Sequence, residues 1–317
     1  MSHEVVVAGE TLIDFLPKRP GPLTSVEGFD RRPGGAPANV AVALTRLEST
    51  PLFWTRVGDD PFGRYLATTL EEHGLPADSI ERDPEAKTTL AFVTHDEIGD
   101  RSFSFYRENT ADTRFESGTV DDRTLASAEW VHVGGVALSS GSSREAMCDL
   151  VDRASDHGCT VSFDPNARRE LWPDEETFRR VTRDVLTDVD VLKATREELE
   201  LLGFDGSSGD HVAHNALEVG PHTVLLTRGS DGAVAVTAPE APWSGTAIHP
   251  GYEIDVVDTT GAGDAFVAGA IVGLNGGRGL EETLEFANAV AATTTTATGA
   301  MTALPDLEAV DSIVGRN

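Results

Sequence analysis

A chain of 317 residues with an ordinary apolar content can hold one large α/β domain, or two smaller ones, around a sizeable core. Its 53 acidic residues against 25 basic ones give a formal net charge of −28, and only three of the basic residues are lysines (Lys18, Lys87, Lys193), which disfavours duplex nucleic acid as a partner. No apolar run spans a bilayer, the first residues lack the form of a secretory signal, and the histidines lack zinc spacing, so neither a membrane protein nor a zinc protein is expected. Cys148 and Cys159 read as reduced core thiols, in keeping with a cytoplasmic location. The acids are scattered along the chain and not gathered into a tail. Such a self-repelling surface fits a halophilic source, where concentrated salt shortens the Debye length to about 3 Å.

In chain order, Val5–Ala8 is a short apolar run closed by Gly9, the pattern of a buried strand. Residues 10–17 continue extended. Spacing alone makes Asp14, between Ile13 and Phe15, a solvated strand residue sooner than a carboxylate gripping ligand hydroxyls. A strand over 25–32 leads into Pro33-Gly34-Gly35-Ala36-Pro37-Ala38-Asn39. Two glycines there permit close approach of backbone to a ligand, and Pro37 suits the first turn of a helix over 38–46. Asn39 would project from that turn, where an amide can bind a polyol; a plain glycine turn before a helix explains the same residues.

Further strands are expected at 52–57, 88–94, 101–106, 130–136, 160–164, 189–192, 224–227, 234–236 and 247–249, and helices at 62–73, 143–157, 196–202 and 281–296. The polar stretch 96–100 reads as a hairpin turn. Alternating strands and helices predict a mainly parallel sheet wrapped by helices. The strands near 11–16, 25–32 and 88–106 break that alternation and predict a small inserted sheet. Ligands in such folds bind at the carboxyl ends of the strands. Asp164, Lys193, Gly229 and a loop at 261–264 all fall there.

That loop lies in Asp258-Thr-Thr-Gly261-Ala262-Gly263-Asp264-Ala-Phe266. A strand-like run over 252–257 precedes it and a helix to Asn275 follows. Small residues at such a junction let amides converge on an anion at the positive end of the helix. Asp264, in the first turn, would stand beside the anion and take a proton from an attacking hydroxyl. An acid that merely complements the helix dipole is the alternative. No Gly-Lys-Ser/Thr follows, so this is not a Walker A loop. Phe266 stands where a dinucleotide fingerprint needs its third glycine.

Together, Gly34-Gly35-Ala-Pro37-Ala-Asn39-Val-Ala41 and Asp258–Phe266 resemble the two signatures of the ribokinase-like carbohydrate kinases, and the similarity covers residues 5 to about 305. The resemblance implies a single three-layer α/β domain over 1–317, with lid strands at about 11–32 and 88–107 covering the sugar. It implies ATP and Mg²⁺, with K⁺ as a further ion. Asp264 falls on the family's general base, and Gly261, Ala262 and Gly263 on its anion hole. Asp14, Gly34, Gly35 and Asn39 fall on sugar-binding positions. Thr227, Gly229, Gly232 and Asn288 fall on the nucleotide side. Lys193, one of three lysines in the chain, is read as a group at the nucleotide phosphates, with a strand-end lysine in a salt bridge as the alternative. Asp258 and Thr260 match a monovalent-cation site, to which the loop holding Gly299 also contributes. The family's Asn-x-x-Glu is replaced by Thr195-Arg-Glu-Glu198, which keeps Glu198 for the Mg²⁺ water shell.

Phe105-Tyr106-Arg107 through Asp112, and Phe163–Arg168, are similar to fructokinases. 2-Keto-3-deoxygluconate kinases carry related segments, in which arginines matching Arg107 and Arg168 face the substrate carboxylate or the phosphates. Fructose is the expected acceptor, with 2-keto-3-deoxygluconate, ribose or a nucleoside as alternatives. A non-catalytic sensor would be expected to have lost the base or the anion loop, and both are intact. Exposed lid strands would allow a homodimer.

Overall fold

Residues 3–19, 21–95 and 101–315 are described in the computed structural model of the chain. The hairpin turn read at 96–100 therefore lies outside the described residues. The apolar run at the start forms β1 (Val5–Ala8), whose side chains alternate between two buried layers. Val5 and Val7 pack on one face of the sheet, Val6 and Ala8 on the other. This is why the run is continuously apolar: a strand covered on both faces has no solvent side.

The chain continues through β2 (Leu12–Pro17), β3 (Phe29–Gly34), α1 (Ala36–Arg46), β4 (Leu52–Gly58), α2 (Pro61–Glu72) and β5 (Ile80–Asp83). Then come β6 (Leu90–His95), β7 (Arg101–Tyr106), α3 (Asp122–Leu125), β8 (Trp130–Gly134), α4 (Gly141–Asp156) and β9 (Thr160–Asp164). α5 (Glu175–Leu186), β10 (Val191–Thr195), α6 (Arg196–Leu201), α7 (Gly209–Leu217), β11 (Thr223–Thr227), β12 (Ala233–Thr237) and β13 (Thr246–His249) follow. The chain closes with α8 (Ala262–Asn275), α9 (Leu280–Thr294) and α10 (Leu307–Val314).

The large sheet has the order β13-β12-β11-β10-β9-β8-β1-β4-β5. It is parallel from β5 to β11 and antiparallel at its β12 and β13 edge. Helices α1, α2, α8, α9 and α10 contribute to the core on one face, and α3 to α7 to the core on the other. The small sheet, ordered β3-β2-β6-β7, joins two antiparallel pairs through a parallel contact between β2 and β6.

The order of the large sheet reverses at β1, which has β4 on one side and β8 on the other. Connections diverge there and leave a crevice at the carboxyl ends. The first turn of α1 is seated in it. A Cβ on Gly9, just past β1, would come within 2.5 Å of Pro37 Cγ, and one on Gly134, at the end of β8, within 2.8 Å. Two glycines thus let the helix carrying Asn39 settle onto the strand ends. A similar device fixes α8. A Cβ on Gly269 would lie 2.8 Å from Ala287 Cα, and one on Gly273 2.9 Å from the Thr283 side chain, so α9 docks close against α8.

Several elements differ from expectation. Residues 252–257 are not a strand, although β-branched. They pair with no neighbour, leave Val256 and Val257 exposed, and are held by the Thr295 carbonyl at the end of α9, which accepts from the amides of Val257 (2.8 Å) and Asp258 (3.2 Å). The strand expected over 25–32 is a short 3-10 turn, Leu23–Ser25, followed by β3, which runs on to Gly34 because that residue pairs with Leu12. β8 stops at Gly134, where a 3-10 turn takes over. β10 begins two residues later than expected and extends to Thr195, so Lys193 lies inside it.

Asp60 fastens α2 to the segment entering the small sheet. It accepts from the amides of Phe62 and Gly63 (2.9 Å each), from the Thr88 amide (2.8 Å) and from the Thr88 hydroxyl (3.0 Å). Burial alone would raise this carboxyl, but those donors outweigh it and hold the pKa below its ordinary value. Its stabilising share is therefore present above the unfolded-chain pKa and is lost as pH falls through the lower folded value. Asp60→Ala is expected to lower the unfolding free energy by about 1–3 kcal/mol at neutral pH, measured by urea denaturation.

Candidate active site

Two segments far apart in sequence meet at the crevice. Asn39, in the first turn of α1, donates from Nδ2 to Asp264 Oδ2, in the first turn of α8, at 2.7 Å across a separation of 225 residues. Both side chains are buried. The glycine pair lies beside them. Gly34 closes β3, and a Cβ there would fall 2.1 Å from Asp14 Oδ2; Asp14 is half-buried over the glycine and is not simply solvated. Gly35, at φ 105°, caps α1, and a Cβ there would meet the Glu10 carbonyl at 2.5 Å. At Gly35 only glycine fits, because the obstruction is backbone; at Gly34 a side chain would push the Asp14 carboxylate aside. Two buried acceptors in this neighbourhood, Asn39 Oδ1 and Glu10 Oε2, have no hydrogen-bond partner among the described residues. Unpaired buried acceptors suit a ligand rich in hydroxyl donors.

At the other side of Asp264, Gly261 adopts the left-handed conformation (φ 81°) that turns the chain into α8. The loop carrying Ala300 presses so close that a Cβ on Gly261 would lie 3.0 Å from the Ala300 Cα. The Ala262 amide bonds back to the Thr259 carbonyl at 3.3 Å, so it is partly spent on its own turn. The amides of Gly263 and Asp264 belong to the first turn, where no helical carbonyl precedes them. Lys193 adds a full charge. Its ammonium would stand 3.4 Å from a Cβ on Gly263, and it is paired with Asp164 Oδ2 at 2.8 Å. Burial opposes charge on this lysine, but Asp164, Glu198 and Asp264 prevail and raise its pKa above the ordinary value. Burial pushes Asp264 the other way, up to about 7; the Asn39 hydrogen bond opposes the rise, Asp164 adds to it, and Lys193 and Arg168 counter it. A carboxyl poised near neutrality beside amides and an ammonium can accept a proton while an anion is held next to it.

Thr227 ends β11, with Gly229 exposed just beyond it and clear of other atoms. Gly232 (φ 76°) is fixed by packing, since a Cβ would fall 2.1 Å from the His249 carbonyl. Asn288 lies on α9, which packs over β12 and β13, and donates to the Leu284 carbonyl at 2.7 Å. Asp258 accepts from the Thr260 amide (3.0 Å) and hydroxyl (2.6 Å) with one oxygen and from the Gly299 amide (3.0 Å) with the other, so the three expected cation-site elements do converge. Glu198 also has a structural task. One oxygen accepts from Thr195 N at 2.9 Å and the other from Ala167 N at 3.0 Å, and Thr195 Oγ1 accepts in return from Glu198 N at 3.2 Å, a reciprocal cap.

The arginines are placed differently from each other. Arg168 is half-buried over the Phe103 ring (5.2 Å), and its charge reaches both Glu10 and Asp264. Arg107 is buried in a pair with Asp112. A cavity of about 1140 Å³ has Arg107 in its wall, beneath Phe105 and Tyr106, but it does not reach Asp264. Glu10 and Asp112 belong to this polar cluster; in the sequence Asp112 marks only the end of the fructokinase-like segment, and Glu10 goes unread. An acid directly after the glycine that ends a buried strand was the available signal for Glu10.

Paired glycines, a poised acid and a helix N-terminus thus meet at the switch point of the sheet. Residues 2–307 match the pfkB family carbohydrate kinase profile, and the chain belongs to that family. It is 38% identical to the probable chloroplastic fructokinase-6 of Arabidopsis thaliana, over 98% of this chain and 82% of that one. The fold superimposes on the ATP-bound fructokinase of Xylella fastidiosa with a TM-score of 0.87 at 32% identity, covering 98% of each chain. For a Vibrio cholerae fructokinase double mutant with fructose, ADP and potassium bound, the TM-score is 0.82 at 32% identity, covering 99% of this chain and 98% of that one. No helix among the described residues is long and apolar enough to cross a membrane.

The raised carboxyl at 264 predicts a stability signature. Folding favours its protonated form, so the stabilisation is fully present below the unfolded-chain pKa and is lost as pH rises to about 7. Asp264→Asn removes that loss. Its stability relative to the parent should improve as pH rises from about 4 to about 7, measured by denaturant unfolding of the ligand-free protein. A constant difference over that range would place the residue's pKa at its ordinary value.

Proposed function

We propose that the chain is an ATP-dependent fructokinase, with Asp264 as the general base. The observation that carries this reading is the Asn39–Asp264 hydrogen bond, which brings the glycine pair and the helix N-terminus to one point. Fructose would lie against Gly34 and Gly35, with hydroxyls donated to Asp14, Asn39 and Glu10. Asp264 accepts the proton of a primary hydroxyl as its oxygen forms the bond to the γ-phosphorus, and the bond to the bridging oxygen of ADP breaks. The amides of Gly261 and Gly263 and the Lys193 ammonium would hold the phosphoryl oxygens. The nucleotide would run across Thr227 and Gly229 toward Asn288. The small sheet would close over the sugar and exclude water, limiting ATP hydrolysis.

Glu198 accepts two amides, which leaves lone pairs on its carboxylate for a water of a metal's shell. When bound with the nucleotide, Mg²⁺ supplies charge neutralisation across the phosphate oxygens. Asp258 and Thr260 are proposed for a monovalent cation such as K⁺, which would steady the turn into α8. A homodimer through the small sheet and a cytoplasmic setting complete the reading. The charge of −28 with three lysines supports a halophilic one.

Asp264→Asn should keep sugar binding while turnover falls by about 10²-fold or more, measured by coupled ADP release. Near-normal turnover would remove Asp264 from the role. A phosphorylation panel of fructose, 2-keto-3-deoxygluconate, ribose and adenosine should show fructose preferred. For the halophilic setting, unfolding is expected to become easier as KCl is reduced from molar to millimolar; equal stability at both ends would rule it out.

A further inference from the structure

We propose that Asp112 sets the acceptor class of this kinase: as the built-in counter-ion of Arg107, it makes the site choose a neutral sugar and refuse a sugar acid. This deepens the kinase reading and rests on it.

Arg107, just past β7, has its guanidinium fork filled from within. Nε donates to Asp112 Oδ2 at 2.6 Å, Nη1 to Ser139 Oγ at 2.7 Å and Nη2 to the Asp112 carbonyl at 3.4 Å. Asp112 is 1% exposed, and its other oxygen accepts from the hydroxyls of Thr110 (2.7 Å) and Thr89. The neighbouring charges are Glu10, which lies behind Gly35 and is reached by the fields of Arg107, Asp112 and Arg168, and Arg168 itself. Arg107 thus meets its counter-charge before any ligand arrives, and the field of Arg168 is shared between Glu10 and Asp264. Lys193 is paired with Asp164.

A polyol brings no charge into this balance, and its hydroxyls meet the unpartnered acceptors Glu10 Oε2 and Asn39 Oδ1. A sugar carboxylate would bring a further anion beside Asp112, and Arg107 already spends Nε, Nη1 and Nη2 on Asp112 and Ser139. A buried carboxylate left without a partner is strongly disfavoured. The discrimination is therefore repulsive as much as attractive. If the Arg107–Asp112 pair were only a fastening of the turn after β7, its loss would weaken all substrates in proportion.

The test uses the full chain and its Asp112→Asn and Asp112→Asn/Arg107→Gln variants. kcat and KM are measured for fructose and 2-keto-3-deoxygluconate, and binding of sorbitol and gluconate by calorimetry. The parent should favour the neutral member of each pair by at least ~10-fold. Asp112→Asn keeps an acceptor for the threonines but frees Arg107, and should shift the ratio toward the acid by ~10-fold or more, chiefly in KM. Adding Arg107→Gln should abolish that shift. An unchanged ratio in a folded Asp112→Asn protein overturns the proposal. So does a parent that takes the acid as well as the neutral sugar, a result that needs no variant to fold. A parent that phosphorylates neither sugar sinks the kinase reading instead, and the sorbitol–gluconate comparison still decides whether charge is selected.

Discussion

The hydrogen bond from Asn39 to Asp264 is the constraint around which the site is arranged. It can form only if α1 and α8 both begin at the same end of the large sheet. The first of these starts is set by Pro37 nesting over Gly9 and Gly134, the second by the left-handed Gly261 turning under the loop at Ala300. Neither contact involves a group with chemistry of its own. They are backbone clearances, and they decide where the reacting groups stand. The crevice at the sheet's reversal is thus filled by two helix starts, one bringing an amide side chain and the other an acid with free-facing backbone donors.

Around that bond the charges are buried in an uneven balance. Asp164 is matched by Lys193 and Asp112 by Arg107, while Asp264 and Glu10 have no ion pair of that closeness among the described residues. Both of these carboxyls are pushed up to about 7 by burial, Glu10 despite the opposing pull of Arg107. An acid that resists ionisation in an empty cleft becomes a better proton acceptor once phosphate and sugar replace water with fixed dipoles. The site is therefore less comfortable than the fold around it, as expected where local stability yields to chemistry.

Much of this was legible in the sequence, for identifiable reasons. β1 announces itself as an apolar run, β9 by the alternation of Val161 and Phe163 with polar neighbours, α1 and α2 by proline at the start and periodic apolar faces, and the two glycine-bearing segments by their spacing from the residues that follow. Other parts resisted. Residues 252–257 have strand composition, but a strand needs a neighbour, and the Val257 amide goes to the Thr295 carbonyl instead. α5 carries its signal in the Asp174 cap and the Phe178, Val181 and Val185 stripe, yet its high charge masks it. The Thr195 and Glu198 cap could be read from spacing as a capping box, though not the second bond to Ala167. The closure of Arg107 on Asp112 depends on a 3-10 turn at Ala111–Thr113, which no periodicity marks. The meeting of Asn39 with Asp264 spans too much chain for any local pattern to show.

The close docking of α8 against α9, through Gly269 and Gly273, has a wider consequence. With no side chain between them at those two points, the helices form one stiff post under the acid, and a larger residue at either glycine would tilt the post as a whole. Change in what the cleft accepts is therefore channelled elsewhere, to the separate small sheet and the polar cluster beside it. A fold organised in this way can diversify its clientele while its reactive corner stays put.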